Sequence, residues 1–138
     1  DIGVITLSSP FEQVSKVGLC CLPSAGSSPA LGESGVIAGW GVTDTDPTTP
    51  SDDLRQAVVQ VQGDSSSCSV GSSGSNRFCA GASGPDSCFG DSGGPFMSKV
   101  NNAWTCTGVI SAGVKCGTST FYTRVAAYRS FIRDVTGV

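Results

Sequence analysis

The sequence is divided into short β-like runs by closely spaced turn residues, and this spacing is the strongest restriction on its fold. The candidate strands are residues 2–7, 35–40, 54–62, 76–81, 104–111 and 121–125. Glycine, proline, serine and aspartate separate these runs, a pattern typical of a β-barrel or a β-sandwich. Charged residues make up only 14% of the chain, as expected for a loop-rich β protein. The sequence therefore predicts an all-β domain.

The apolar period changes only at the end of the chain. Four residues lie at positions i, i+3, i+4 and i+7, namely Tyr128, Phe131, Ile132 and Val135. This spacing predicts one face of a helix, and Gly137 is a typical helix stop. Upstream, residues 43–53 and 63–76 are rich in turn residues and are predicted to be surface loops.

Composition excludes several classes of partner and cofactor. The net charge of −3 argues against nucleic acid, which requires a basic surface. No apolar run reaches membrane-spanning length, so no membrane segment is predicted. Seven cysteines in 138 residues indicate an oxidising compartment and secretion. Zinc binding by these cysteines is not expected, because the chain has no histidine and no Cys-x-x-Cys pair.

The strongest chemical motif is residues 90–95, with the sequence Gly-Asp-Ser-Gly-Gly-Pro. Glycine permits unusual backbone conformations, so such a turn can present the Ser92 hydroxyl beside free backbone N–H groups. A polar turn without function is the simpler interpretation of Gly-x-Ser-x-Gly alone, but all six residues together are far more specific. The nucleophile elbow of α/β-hydrolases is the other candidate. It requires a helix after the serine, which Gly93-Gly94-Pro95 disfavours.

These six residues are similar to the nucleophile motif of chymotrypsin/trypsin-like serine proteases, and the resemblance covers nearly the whole chain. Further segments that resemble the family are residues 1–7, 21–23, 38–41, 78–81, 111–113 and 121–125. The resemblance implies a six-stranded antiparallel barrel, the second barrel of a two-barrel fold, with a C-terminal helix. It assigns residues 35–124 to the barrel, 125–138 to the helix, and 1–34 to an interdomain segment that begins at the triad aspartate.

The resemblance also implies catalytic roles. Ser92 would be the nucleophile, and the N–H groups of Gly90 and Ser92 would form the oxyanion hole. Asp1 would orient the catalytic histidine, with Ser111 supporting its carboxylate. Asp91 would accept an ion pair from the new N-terminus that zymogen cleavage creates.

Substrate recognition is implied for Asp86, Ser87, Ser111, Gly113 and Thr120. Asp86 corresponds to the floor of the primary specificity pocket, where a carboxylate favours arginine or lysine. Thr120 occupies a pocket-wall position at which trypsin-like relatives have glycine, in a segment more similar to elastase. It would narrow the path to Asp86. Trypsin-like cleavage and an elastase-like pocket therefore both remain open.

Two disulfides are implied by the resemblance, Cys68–Cys79 and Cys88–Cys116. Cys20, Cys21 and Cys106 remain. Cys21 precedes Leu-Pro, where relatives bond a cysteine to their N-terminal propeptide, so it is expected to pair with another chain. A bond between Cys20 and Cys106 is then the expected remaining pair.

The chain has no histidine, although such catalysis needs one as general base. We therefore expect a secreted serine endopeptidase in which an N-terminal half supplies the histidine, held by a disulfide. That half could be a separate chain or the preceding part of a longer one. Protein or peptide substrates and protein protease inhibitors are the expected partners, and no cofactor is required. The alternative is a catalytically inactive homologue that acts as a binding module.

Overall fold

The computed structural model describes residues 1–12, 14–43, 48–64, 68, 76–81, 84–113 and 115–138. Its strands are β1 (Ser34–Gly39), β2 (Arg55–Asp64), β3 (Arg77–Ala80), β4 (Pro95–Val100), β5 (Ala103–Gly113) and β6 (Thr120–Arg124). They form a closed barrel in the order β1-β2-β3-β6-β5-β4, and every neighbouring pair is antiparallel. A 3₁₀ turn (Val125–Tyr128) leads into the helix α1 (Arg129–Thr136). The predicted all-β barrel with a C-terminal helix is confirmed.

Two strand assignments made from the sequence differ from the structure. The predicted strand at residues 2–7 is wrong, because this segment pairs with no strand in the described part of the chain. The structure instead contains a strand that the sequence pattern did not predict, namely β4. Its first residue is Pro95, which follows two glycines, so no strand was predicted there. Proline is compatible with the first position of a strand, where its missing N–H is not needed.

A tight hairpin joins β4 to β5. Val100 pairs directly with Ala103, so the turn consists of Asn101 and Asn102 alone. Both asparagines have positive φ angles, 49° and 65°. Two consecutive left-handed residues define a type I′ turn, whose twist matches that of the strands, and asparagine tolerates this conformation better than most residues.

The core lies inside the barrel and contains Ile37, Val59, Val61, Phe78, Ala80, Phe96, Ile110 and Tyr122. Three aromatic rings occupy its centre, with centroid separations of 5.1 to 5.3 Å between Phe78, Phe96 and Tyr122. These rings belong to β3, β4 and β6, so they connect strands from different parts of the chain. Burying each ring stabilises the fold by roughly 1.5–3 kcal/mol.

The predicted C-terminal helix forms, but it begins at Arg129, so Tyr128 of the predicted apolar face lies in the preceding 3₁₀ turn. Ile132 is buried, whereas Phe131 and Val135 on the same predicted face are 41% and 50% exposed. Gly137 has a φ of 84° and donates its N–H to the carbonyl of Arg133 at 2.8 Å, so the helix ends at the predicted glycine.

The loop at 43–53 is described in part, and most of the loop at 63–76 lies outside the described residues. No helix in the described part of the chain has the length and apolar character needed to cross a membrane.

Candidate active site

Ser92 lies on a tight turn immediately before β4. Gly90 and Gly93 on either side have φ angles of 95° and 84°, which only glycine adopts without strain. The Gly93 N–H donates to the carbonyl of Ile110 at 2.9 Å, so the turn is fixed against β5. Ser92 itself is exposed. The glycines and this hydrogen bond thus present the serine at the barrel surface.

Two backbone N–H groups accompany the serine. Those of Gly90 and Ser92 donate to no acceptor among the residues that the structure describes. Preorganised N–H donors of this kind can stabilise the negative oxygen of a tetrahedral intermediate.

Asp1 is held by two hydroxyl groups of the barrel. Ser111 Oγ lies 2.8 and 3.1 Å from the two carboxylate oxygens, and Thr123 Oγ1 lies 3.0 Å from one of them. The register of β5 against β6 shifts between Ile110 and Ala112, so Ser111 occupies a β-bulge. A bulge redirects a side chain, and here it directs the Ser111 hydroxyl to Asp1.

Thr123 was not singled out by the sequence analysis. It is completely buried, and its hydroxyl is also 2.8 Å from the Asp1 carbonyl. Tyr122 fills the barrel core, so strand alternation places Thr123 on the outer face of the barrel. A threonine within a strand carries no functional signal by itself. Only the contact with Asp1 indicates that Thr123 belongs to the candidate site.

Asp91 is enclosed by backbone. Its two carboxylate oxygens accept hydrogen bonds from the N–H groups of Gly41 at 2.7 Å and Cys88 at 3.0 Å. A Cβ at Gly41 would lie 2.5 Å from the Asp91 carboxyl carbon, and a Cβ at Gly39 would overlap the carboxylate. The glycines at positions 39 and 41 are therefore required by the position of Asp91.

The Asp86 carboxylate lies in a cluster of polar groups. It accepts hydrogen bonds from the Ser87 N–H at 2.8 Å, the Thr120 hydroxyl at 3.4 Å and the Tyr122 hydroxyl at 3.5 Å. Burial raises the pKa of Asp86 to about 6, and these three hydrogen bonds offset part of the effect. Hydrogen bonds from its neighbours therefore offset only part of the free-energy cost of burying the ionised Asp86 carboxylate.

The cleft beside Ser92 has a volume of about 200 Å³. Its lining includes Ser87, Phe89, Gly113, Lys115 and Thr120. Gly113 pairs with Thr120 across β5 and β6, so these two residues form one side of the cleft.

Asp86 does not line this cleft. It lines a separate cavity of about 260 Å³, together with Asp91. The structure therefore brings Ser87, Gly113 and Thr120 together beside Ser92. Asp86 is not among the residues that line the cleft, but its carboxylate accepts hydrogen bonds from the Thr120 hydroxyl and the Ser87 N–H.

The structure contains two disulfides, Cys68–Cys79 and Cys88–Cys116, with Cα separations of 5.7 and 4.7 Å. The expected Cys20–Cys106 bond is absent, and Cys20, Cys21 and Cys106 are free thiols. The Cys20 and Cys106 thiols are nevertheless neighbours that hydrogen-bond to each other. The Cys20 thiol also contacts the Trp104 carbonyl, and the Cys106 thiol the Gly108 carbonyl, both at 3.5 Å. Burial, together with the neighbouring Cys20, raises the pKa of Cys106 to about 11.

Known serine proteases match this chain over nearly its whole length. The Trypsin family profile matches residues 1–132. Complement C1s subcomponent of Sus scrofa is 36% identical, over 97% of this chain and 22% of that protein. Calcium-dependent serine proteinase of Mesocricetus auratus is 34% identical, over 96% of this chain and 21% of that protein. Transmembrane protease serine 11C of Mus musculus is 33% identical, over 100% of this chain and 34% of that protein. The chain spans about a fifth to a third of these curated relatives.

Proposed function

Because the chain belongs to the trypsin family of serine proteases, we propose that it provides the nucleophile half of a secreted serine endopeptidase. The observation that carries this proposal is the exposed Ser92 on a glycine turn, with two N–H groups that have no acceptor among the described residues. A polar turn of purely structural use would not need this combination. The hydroxyl-bound carboxylate of Asp1 supports the same function.

The proposed reaction is acyl transfer. Ser92 Oγ attacks the substrate carbonyl carbon while a histidine from the N-terminal half accepts the hydroxyl proton. Asp1 orients that histidine and stabilises its cationic form. The Gly90 and Ser92 N–H groups stabilise the oxyanion. The histidine then protonates the leaving amine, and water hydrolyses the acyl-enzyme by the reverse sequence of proton transfers.

Asp91 gives the proposed enzyme a means of activation. Its carboxylate borders the cavity of about 260 Å³ and is bound there only by neutral N–H groups in the described part of the chain. An ammonium group entering this cavity would form an ion pair with Asp91. The N-terminus created by proteolytic cleavage of the preceding half is the proposed source of that ammonium.

The segment at residues 1–34 supports the presence of a second half. Ile5, Phe11 and Leu19 are 87%, 78% and 87% exposed. Large apolar side chains at this exposure are typical of a surface that another domain covers. We propose that this segment lies between the two halves, and that the exposed thiol of Cys21 is bonded to the N-terminal half.

A catalytically inactive binding module is the second candidate, and the missing histidine is the observation that favours it. Such a module would still recognise peptide segments or protein inhibitors at the cleft. It would have no use for an activated Ser92.

A fluorophosphonate probe separates the two candidates, because it reacts only with an activated serine. We expect the native protein, with its histidine-bearing segment, to be labelled at Ser92 and the Ser92→Ala variant to remain unlabelled. Ser98→Ala is the matched control, since Ser98 is a buried serine outside the turn, and it should retain the label. Absence of labelling in folded native protein would favour the binding module.

A further inference from the structure

We propose that Gln62 is a positioning residue for the proposed acyl transfer, because its side-chain amide joins the two segments that line the cleft beside Ser92. The first segment consists of residue 81 and residues 84–92, and the second of residues 115–120. Gln62 belongs to β2 and is not among the described residues that line the cleft. This inference rests on the proposed function, because the cleft is a substrate site only if Ser92 is the nucleophile.

An irregularity in β2 determines the direction of the Gln62 side chain. Val61 pairs with Ala80 and Gly63 pairs with Cys79, so Gln62 is an extra residue without a partner on β3. An extra residue of this kind forms a β-bulge, which bends the strand and redirects a side chain. The bulge allows the Gln62 amide to reach groups beyond the end of β3.

Both ends of the Gln62 amide are engaged. Nε2 donates to the carbonyl of Gly81, and Oε1 accepts a hydrogen bond from the Ser119 hydroxyl at 2.7 Å. A carbonyl can only accept, so a single orientation of the amide satisfies both contacts. Oε1 also lies 3.7 Å from the sulfur of Cys79, which is bonded to Cys68. These contacts fix the side chain in place.

Gly81 is held tightly at the start of the first segment. Its N–H donates to the Gln60 carbonyl at 3.0 Å, and its φ angle of 100° favours glycine. A Cβ at this position would overlap the Asp86 carboxylate and lie 3.0 Å from the Thr118 carbonyl. The backbone of Gly81 therefore lies directly against both segments, and its hydrogen bond to Gln62 anchors it to β2.

Ser119 lies in the second segment, immediately before a residue of the cleft. That residue is Thr120, which begins β6. The disulfide between Cys88 and Cys116 also joins the two segments. The Gln62 amide adds a hydrogen-bonded connection between them from a strand that belongs to neither.

The reactive turn does not depend on this connection. The Gly93 N–H donates to the carbonyl of Ile110, so the turn that carries Ser92 is fixed against β5. Loss of the Gln62 amide would leave a carbonyl and a hydroxyl without their partner. We therefore expect the cleft to be disturbed while the reactivity of Ser92 is retained.

The kinetic test uses Gln62→Met, which removes both hydrogen bonds at similar side-chain volume, in the protein with its histidine-bearing segment. We expect KM for a peptide amide to rise about tenfold, since two hydrogen bonds are lost. Labelling by diisopropyl fluorophosphate, a small reagent without a peptide segment, should keep a rate within about twofold of wild type. Gln60→Met is the matched control, because Gln60 is an exposed residue of the same strand, and its KM should not change. An unchanged KM in Gln62→Met, or equal losses in KM and labelling, would overturn the inference.

Ser119→Ala tests the connection from its other end, even if Gln62→Met does not fold. This variant should also raise KM. The double variant should raise KM no further than Gln62→Met alone, because both changes remove the same hydrogen bond. Independent, multiplying effects would show that Gln62 does not act through Ser119 and would contradict the inference.

Hydrogen exchange followed by mass spectrometry tests the same point without catalysis. We expect peptides within residues 84–92 and 115–120 to exchange faster in Gln62→Met than in wild type, and those of β4 to be unchanged. Identical exchange in the two proteins would overturn the inference. Fluorophosphonate labelling of wild type distinguishes the two failures. A labelled protein with unchanged exchange retains the proposed function and loses this inference, whereas an unlabelled protein loses both the function and the catalytic role of Gln62.

Discussion

The hydroxyl of Thr123 lies 2.8 Å from the carbonyl oxygen of Asp1 and 3.0 Å from its carboxylate. Thr123 is fully buried, so water cannot replace this donor after a substitution. A hydrogen bond to a charged group contributes about 1.5–3 kcal/mol. We therefore expect Thr123→Val to lower kcat roughly tenfold or more, with little change in KM, because the residue contacts Asp1 and not the cleft.

Thr107→Val is the control for this prediction. Thr107 is also a buried strand threonine, but its hydroxyl contacts Ser98 and the Phe96 carbonyl. Steady-state kinetics should show kcat near wild type for this variant. Equal losses in both variants would mean that Thr123 acts only through general packing.

Gly41→Ala should destabilise the protein. The new methyl would lie 2.5 Å from the Asp91 carboxyl carbon, and relieving this clash would break the 2.7 Å hydrogen bond from Gly41 to Asp91. Overpacking of this kind costs about 1–3 kcal/mol. Gly18→Ala is the matched control, because nothing lies within 4 Å of its added Cβ. Urea unfolding should show a lower midpoint for Gly41→Ala only, and equal midpoints would contradict the clash.

Asp86 should make stability depend on pH. Its pKa is raised from 3.8 to about 6, so the folded state binds the proton more tightly than the unfolded state. This contribution to stability is fully present below pH 3.8 and is lost as the pH rises through 6. Asparagine does not titrate. The melting temperature of wild type should therefore fall relative to that of Asp86→Asn between pH 4 and 7, and a constant difference would contradict the raised pKa.

The free thiols of Cys21 and Cys106 should differ in reactivity. The pKa of Cys106 is raised to about 11 by burial, so little reactive thiolate forms near neutral pH. Cys21 is exposed. After mild reduction, iodoacetamide at pH 8 should alkylate Cys21 well before Cys106, as followed by peptide mass spectrometry. Equal rates would show that the Cys106 side chain is more accessible than the structure indicates.

Local residue types predicted an all-β domain, the C-terminal helix and the turn at Ser92, whereas the six-stranded barrel followed from the resemblance to the protease family. Alternation, helical spacing and paired glycines act within a few positions along the chain. The strand β4 was missed because proline usually indicates a turn. Pro95 is tolerated here because the first residue of a strand can lack an N–H without losing a hydrogen bond between strands.

Long-range contacts could not be predicted in the same way. The role of Thr123 depends on a contact across 122 positions of sequence. The direction of the Asp86 carboxylate depends on Thr120 and Tyr122, which are 34 and 36 positions away. The resemblance to the protease family identified Asp86 as important, but only the folded structure shows which hydroxyl groups its carboxylate contacts.

The Asn101-Asn102 turn has a consequence for the order in which the barrel forms. The β4–β5 hairpin closes over two residues, whereas the pairing of Val36 with Met97 that completes the barrel spans about 60 residues. Bringing distant segments together costs more chain entropy, so we expect the hairpin early and the closing pair late on the folding pathway. Asn102→Ala should then slow refolding, and Val36→Ala should mainly accelerate unfolding. Stopped-flow measurements showing the reverse would place barrel closure first.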